Sequence, residues 1–208
     1  MGIHQSLQSN PSMFHPSSRL KNKSTRIGLG VYATAFIPRG TITYIRDPLE
    51  LVIDDAAYAT MPACLQAPVE RYAYVDETGA RILSWDLGKY VNHCCFPNTM
   101  TTAFGFEIAI RDILPGEEIT DEYGLFNLES PMDLSCSKPG CRKRVSSDDL
   151  DRLYPIWDEQ VKAALLLIAR VDQPLWDLVD DPLNEKIQAF LDNPDQHYPS
   201  LQNVKRRS

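Results

Sequence analysis

The sequence has no stretch approaching the roughly 20 consecutive apolar residues that a membrane-spanning helix requires. Its longest aliphatic run, Leu165-Leu166-Leu167-Ile168, is flanked by charged residues. A basic region followed by an apolar run is missing near residue 1, so no secretory leader is expected. Positive charge is in short supply: 21 Lys and Arg stand against 28 Asp and Glu, a formal net charge of -7. Phosphate binding needs a positive surface, so nucleic acid is not expected as a direct partner. An acidic surface suits a basic peptide instead. Cysteine is sparse and odd in number: Cys64, Cys94, Cys95, Cys136 and Cys141. In a chain without a leader these read as reduced thiols or metal ligands in a cytoplasmic setting, not as a disulfide scaffold.

What is present is ordinary globular material. The 208 residues are 43% hydrophobic and 24% charged, enough for a real core and for one main domain with an appendage. Residues 1–17, rich in Ser, Asn, Gln, Pro and His, carry no hydrophobic period and are expected to form a loosely held arm. Residues 18–124 read as short strands broken by turns: Val31-Tyr32-Ala33-Thr34 after a Gly pair, Thr41 to Ile45 after Pro38-Arg39-Gly40, Phe104 to Arg111, and Glu118-Ile119-Thr120 after Pro115-Gly116. A short segment, residues 125–146, follows. The period then changes. Trp157, Val161, Leu165 and Ile168 share one helical face, and Leu183, Ile187, Phe190 and Leu191 form a second stripe after Asp181-Pro182, an N-cap and first-turn proline. Residues 147–195 are therefore a helical appendage whose stripes are core packing, and 196–208 a solvated tail. The fold class is mainly β with an α appendage.

Four segments carry chemistry. In Gly28-Leu29-Gly30-Val31-Tyr32-Ala33, glycine lets backbone approach a ligand or take positive φ, although a hairpin turn needs the same residues. In Asn92-His93-Cys94-Cys95-Phe96-Pro97-Asn98, polar groups that are costly to bury cluster around a stiffening proline, as in a ligand-binding loop. Turn capping by the asparagines, metal binding by the cysteines, or a cysteine nucleophile beside His93 would use the same residues. In Gly116-Glu117-Glu118-Ile119-Thr120-Asp121-Glu122-Tyr123-Gly124 a tyrosine follows an acidic strand. In Cys136-Ser137-Lys138-Pro139-Gly140-Cys141, two thiols flank a turn and fit a metal knuckle that needs further ligands.

Read in order, the four segments resemble the SET-domain protein-lysine methyltransferases, over roughly residues 18–145. The resemblance implies a β-clip of small curled sheets with a pseudo-knot, in which the segment ending at Tyr123 passes under a loop adjoining Asn92 to Asn98. It implies S-adenosylmethionine as cofactor, held by Leu29, Gly30, Tyr32, Asn92, His93 and Tyr123, with Tyr123 catalytic at a narrow channel for the substrate lysine. It implies zinc on Cys95, Cys136 and Cys141 in a post-SET segment. Leu134 stands where that pattern has a further cysteine, which leaves the ligand set one short. Asp121 stands where many members carry Phe or Tyr. The implied partner is a protein or peptide, basic by charge, bound by a cytoplasmic monomer (nuclear in a eukaryote). A non-catalytic SET-like module that binds a peptide or partner would keep most of the same motifs.

Overall fold

The computed structural model describes residues 13–25, 27–134, 136 and 138–206. The chain runs β1 (Ser18–Ser24), β2 (Gly28–Ala33), β3 (Ile42–Ile45), β4 (Leu51–Ile53), α1 (Asp55–Thr60), α2 (Ala63–Tyr72), β5 (Tyr74–Val75), β6 (Arg81–Leu83), β7 (Asn92–His93), β8 (Thr99–Thr101), β9 (Phe106–Ala109), β10 (Glu118–Asp121), β11 (Met132–Asp133), β12 (Arg144–Val145), α3 (Asp149–Leu165), α4 (Asp181–Asp192) and α5 (Pro194–His197). The strands form small sheets in the orders β1-β2-β10-β7, β3-β9-β8, β4-β6-β5 and β11-β12. The β1–β2 hairpin turns at Gly28, whose φ of +90° a side chain would strain.

Strand β10 positions the site. Its first half pairs antiparallel with β2, Ile119 opposite Val31. Its second half pairs parallel with β7, Thr120 opposite Asn92 and Asp121 opposite His93. Asn98, fully buried, extends this pairing with its side chain: Nδ2 donates to the Glu118 carbonyl at 2.8 Å, and Oδ1 accepts from the Thr120 amide at 2.8 Å. A carboxamide offers a donor and an acceptor in the same spacing as a peptide group, so it completes a ladder where no strand is available.

The helical stripes land as their period requires. Trp157, Val161 and Leu165 of α3, with Ile168, pack with Ile187 and Phe190 of α4 against Ile42, Met100, Phe106 and Ile108 of the β3-β9-β8 sheet. The appendage and that sheet share one core. Gln173 ties them further, its Oε1 accepting from the Ile42 amide at 2.8 Å and its Nε2 donating to the Gly40 carbonyl at 2.7 Å. The cap of α4 is Asp180, which accepts from the Leu183 amide, one residue earlier than the sequence suggests. Pro182 then sits in the first turn, where its missing N–H is not needed.

Three expectations are corrected. The loose arm expected over residues 1–17 is packed from residue 13: Met13, Phe14 and His15 are buried, and Phe14 bridges Tyr44 of β3. Residues 1–12 lie outside the described residues. The solvated tail expected over 196–208 is strapped along α3. Asp158 accepts from the Tyr198 hydroxyl, the Ser200 hydroxyl and the Leu201 amide, at 2.7–2.8 Å, and Leu201 is fully buried; residues 207 and 208 lie outside the described residues. Finally, the tract read only as short strands contains α1 and α2. Helix α1 buries no residue and α2 only Val69, so neither carries the apolar stripe by which a helix is recognised.

The shared core gives a direct test. Phe190→Ala removes a fully buried ring that packs edge-on against Phe104 and should destabilise the whole chain by about 3–5 kcal/mol. Urea unfolding followed by strand and helix signals should show one common transition shifted downward. A separate early helical transition would show that the appendage folds independently of the sheet.

Candidate active site

Asn92 and His93 form β7, and their side chains point to different partners. The Asn92 carboxamide donates to the Leu29 carbonyl of β2 at 3.0 Å and to Glu118 Oε1 of β10 at 2.9 Å. Glu118 also takes Lys23 Nζ at 2.6 Å. Gly30 lies in this corner. A Cβ there would come within 2.7 Å of Glu118 Oε1 and 3.0 Å of Asn92 Nδ2, so glycine is what lets those two side chains approach the β2 backbone. Tyr32 lies on the same strand with Lys21 Nζ 4.7 Å from its ring centre; burial and then the Glu118 charge raise the pKa of its phenol. Leu29, Gly30, Tyr32, Asn92 and Glu118 are thus brought together at one end of the β2-β10-β7 sheet.

His93 connects this corner to Tyr123. Its Nδ1 accepts from the Tyr123 amide at 3.2 Å, and the two rings lie 5.5 Å apart. Burial and then the Arg142 charge depress its pKa to about 4, so it is neutral at physiological pH. With Nδ1 accepting, the ring proton sits on Nε2, which faces Cys95 Sγ at 3.4 Å. The Tyr123 hydroxyl donates to the Val91 carbonyl at 2.6 Å. Burial raises its pKa, and the charges of Asp121, Glu107 and Glu118 raise it further, so the hydroxyl stays protonated. It can orient a nearby group but is no base.

Tyr123 and Val91 also line a cavity of about 570 Å³. None of Leu29, Gly30, Tyr32, Asn92 and His93 lines it. Tyr123 therefore stands between two places: the Gly30–Asn92 corner and this cleft. The cleft walls were not legible in the sequence. Tyr58, Tyr72 and Tyr74 come from α1, α2 and β5, and Phe126 follows Tyr123, its ring 5.5 Å from the Tyr123 ring and 5.3 Å from the Tyr74 ring. Arg81 of β6 stacks 4.0 Å over Tyr58 and pairs with Asp55 and Glu129 at 2.7 and 2.8 Å. That clamp joins the helices to the segment after Tyr123. An enrichment of tyrosine between residues 44 and 90 was the available signal.

Asp121, the departure noted in the sequence, is fully buried and lines the same cleft. Its companion is Glu107 of β9, which the sequence gave no reason to select. Burial raises both pKa values. The two carboxyls are close enough that each perturbs the other, Glu107 being held well above the usual range. One proton shared between them is the physical consequence, because two like charges in an apolar site cannot both ionise cheaply.

The cysteine segment meets the site from the other side. Cys95 and Cys141 come together, Sγ to Sγ 3.6 Å, and Cys141 also bonds the Cys136 thiol, whose Sγ accepts from the Lys138 amide at 3.4 Å. Among the described residues, no three His, Cys, Asp or Glu are gathered so as to hold a metal ion. Leu134 supplies no ligand, and His93 Nε2 lies 3.4 Å from Cys95 Sγ. Zinc needs four deprotonated or neutral donors around one point; Cys95, Cys136 and Cys141 do not fit that requirement, and the zinc expectation is not carried further. The segment is held by charge instead. Arg142 Nη2 meets Glu122 Oε1 at 2.6 Å and Asp149 Oδ2 at 3.6 Å, with its guanidinium 5.6 Å from the Trp157 ring centre.

Glu122 is fully buried, so removing its partner strands a charge. Arg142→Met should lower stability by about 3–5 kcal/mol at neutral pH, and adding Glu122→Gln should restore most of the loss. Chemical denaturation of wild type, single and double variants checks this; equal losses in the single and double variants would show that Arg142 acts through packing on Trp157 instead.

Comparison with known proteins follows the same residues. The family profile described as SET domain matches residues 28–124. No curated protein matches the chain. Among solved structures, the chain is similar to the methyltransferase domain of human histone-lysine N-methyltransferase SETMAR, at 18% identity and a TM-score of 0.43, over 64% of this chain. The matched part spans 58% of that structure's length. Residues 28–124 match the SET-domain family.

Proposed function

We propose that this SET domain transfers a methyl group from S-adenosylmethionine to the side-chain amine of a lysine in a protein or peptide substrate. The observation that carries the reading is the placement of Tyr123, whose amide is bonded to His93 and whose hydroxyl lies at the end of the 570 Å³ cleft. The Gly30 corner suits the cofactor. The missing Cβ lets Glu118 and Asn92 approach the Gly30 backbone, Leu29 beside it is exposed, and Glu118 brings a carboxylate, paired with Lys23, to the corner where a sulfonium-bearing molecule would lie. Leu29, Gly30, Tyr32, Asn92, His93 and Tyr123 would hold it. Bound there, S-adenosylmethionine supplies an electrophilic methyl group.

The chain's own residues supply alignment. The cleft is lined by aromatic rings, against which a substrate side chain would displace water and be fixed in its approach. The protonated Tyr123 hydroxyl, anchored on the Val91 carbonyl, gives the amine an oxygen to bond to at a fixed point. A free lysine has a pKa of about 10.4, so the amine must lose a proton before it can attack. The acidic chain, at a net charge of -7, favours a basic segment in the cleft.

A second reading, a non-catalytic module that binds a peptide, is favoured by one observation: both amide hydrogens of Asn92 are already used within the protein. Incubation with labelled S-adenosylmethionine and a mixture of basic proteins separates the two. Label transfer is expected, and Tyr123→Phe should reduce it by about 10²-fold while calorimetry shows cofactor binding retained. Peptide binding that is equal in wild type and variant, with no transfer by either, would establish the binding module.

A further inference from the structure

At the inner end of the cleft, Asp121, Glu107 and Tyr44 bring three polar atoms to the same floor. Asp121 Oδ2 and Glu107 Oε2 receive no donor from any other group and can bond only to each other through a shared proton, while the Tyr44 hydroxyl has no hydrogen-bond partner; Asp121 and Tyr44 are 0% and 6% exposed. Asp121 Oδ1 accepts from the Glu122 amide, which leaves Oδ2 to face Glu107. Among the described residues, no lysine, arginine or histidine forms an ion pair with Asp121 or Glu107. The titratable groups that act on the pair add negative charge: Glu50, just before β4, and Asp86 act on Glu107, and Glu122 acts on Asp121. The cations lining the same cleft are engaged elsewhere: Arg81 with Asp55 and Glu129, Arg71 with the Ile27 carbonyl and Lys89 with the Trp85 carbonyl. Tyr74 and Tyr123 remain neutral phenols beside them.

Burying two carboxyls without a cation destabilises a fold by several kcal/mol. A water-accessible cleft ending on such a pair is incomplete until a cation fills it. Tyr58, Tyr72 and Tyr74 line the same cleft and offer aromatic faces suited to a cationic side chain. We propose that Glu107 and Asp121 form an anionic seat that takes the acceptor lysine as its ammonium ion, removes one proton and presents the neutral amine beside Tyr123. The proposal rests on the methyltransferase reading. It makes the carboxyl pair a catalytic proton acceptor, so that the amine does not have to reach the cleft already neutral.

The step balances. The pair enters carrying one shared proton and one negative charge. An N–H bond of the ammonium breaks, an O–H bond forms on the pair, and the pair becomes neutral. The amine lone pair then forms the N–C bond to the methyl carbon of the named cofactor, and the C–S bonding electrons leave with sulfur. The product is a methylated ammonium ion, and the pair returns its proton to water through the open cleft.

The sign of the pH dependence follows. The pair accepts a proton only when ionised, so the rate should fall as pH drops through its raised pKa. The test is the pH profile of kcat/KM for a lysine-containing basic peptide, with Asp121→Asn, Glu107→Gln and the double variant beside wild type. Each single variant should lose about 10²-fold at about pH 7.5 and its acid limb should move, because one carboxyl without its neighbour titrates differently. The double variant should lack that limb. Its deficit should shrink towards about pH 10, where the free lysine is largely neutral and needs no acceptor. Thermal unfolding and calorimetric binding of S-adenosylmethionine identify variants that fold, and Glu107→Gln decides if Asp121→Asn does not. Variants whose profiles run parallel to wild type, with a constant deficit, overturn the proton-acceptor role and leave the methyltransferase reading standing. No transfer by wild type at any pH overturns both.

Discussion

The arrangement depends on one short strand being held along both edges. Residues 118–121 use one half of their backbone to pair with β2 and the other half to pair with β7. The Asn98 carboxamide fills the position between. Because peptide hydrogen bonds are directional, this fixes the rotation of the strand about its own axis. Asp121 then faces the cleft, and Tyr123 follows at the point where the cofactor corner and the cleft approach each other. Asn92 and His93 are placed by the same ladder, since they are the residues opposite Thr120 and Asp121. A shift of one residue would exchange the two faces of the strand and take Asp121 out of the cleft.

Charge is distributed around this strand in two ways. On the side of the cysteine segment, the buried Glu122 is matched by Arg142, and His93 beside it stays neutral. That side is electrostatically closed, and it holds residues 136–145 against α3 without needing a metal. On the cleft side, Asp121 is fully buried and Glu107 part-buried, and among the described residues neither is in an ion pair with a cation. The contrast matters because the fold evidently can supply an arginine where a carboxylate is to be neutralised. Leaving the cleft pair without one concentrates negative potential at the place where a substrate side chain would end.

The helical appendage is part of the same solid body. Its apolar stripes were legible from spacing alone, because a surface helix shows its buried face every three or four residues. The surface they cover was not legible, since the partner strands β3, β8 and β9 are short and far away in sequence. The strap of residues 198–206 was read as solvated tail for a related reason. Its hold on α3 comes from Asp158 bonding to backbone and hydroxyl groups, and from the single buried Leu201. Neither produces a periodic pattern. Helices α1 and α2 escaped notice because they bury almost nothing, although their tyrosines wall the cleft.

By itself, the sequence determined the order of the chemical motifs, the strand positions at β2, β3, β9 and β10, the change to helical period after residue 146, and the oddity of an aspartate at 121. These are local properties: turn chemistry, side-chain period and the identity of polar clusters. Tertiary structure alone decided that Asp121 meets Glu107 on the adjoining sheet, that Arg142 neutralises Glu122, and that Cys95 meets Cys141. Each of those depends on distances between segments separated by 14 to 46 positions. Distances of that kind are set by how sheets pack, and no pattern within one segment encodes them.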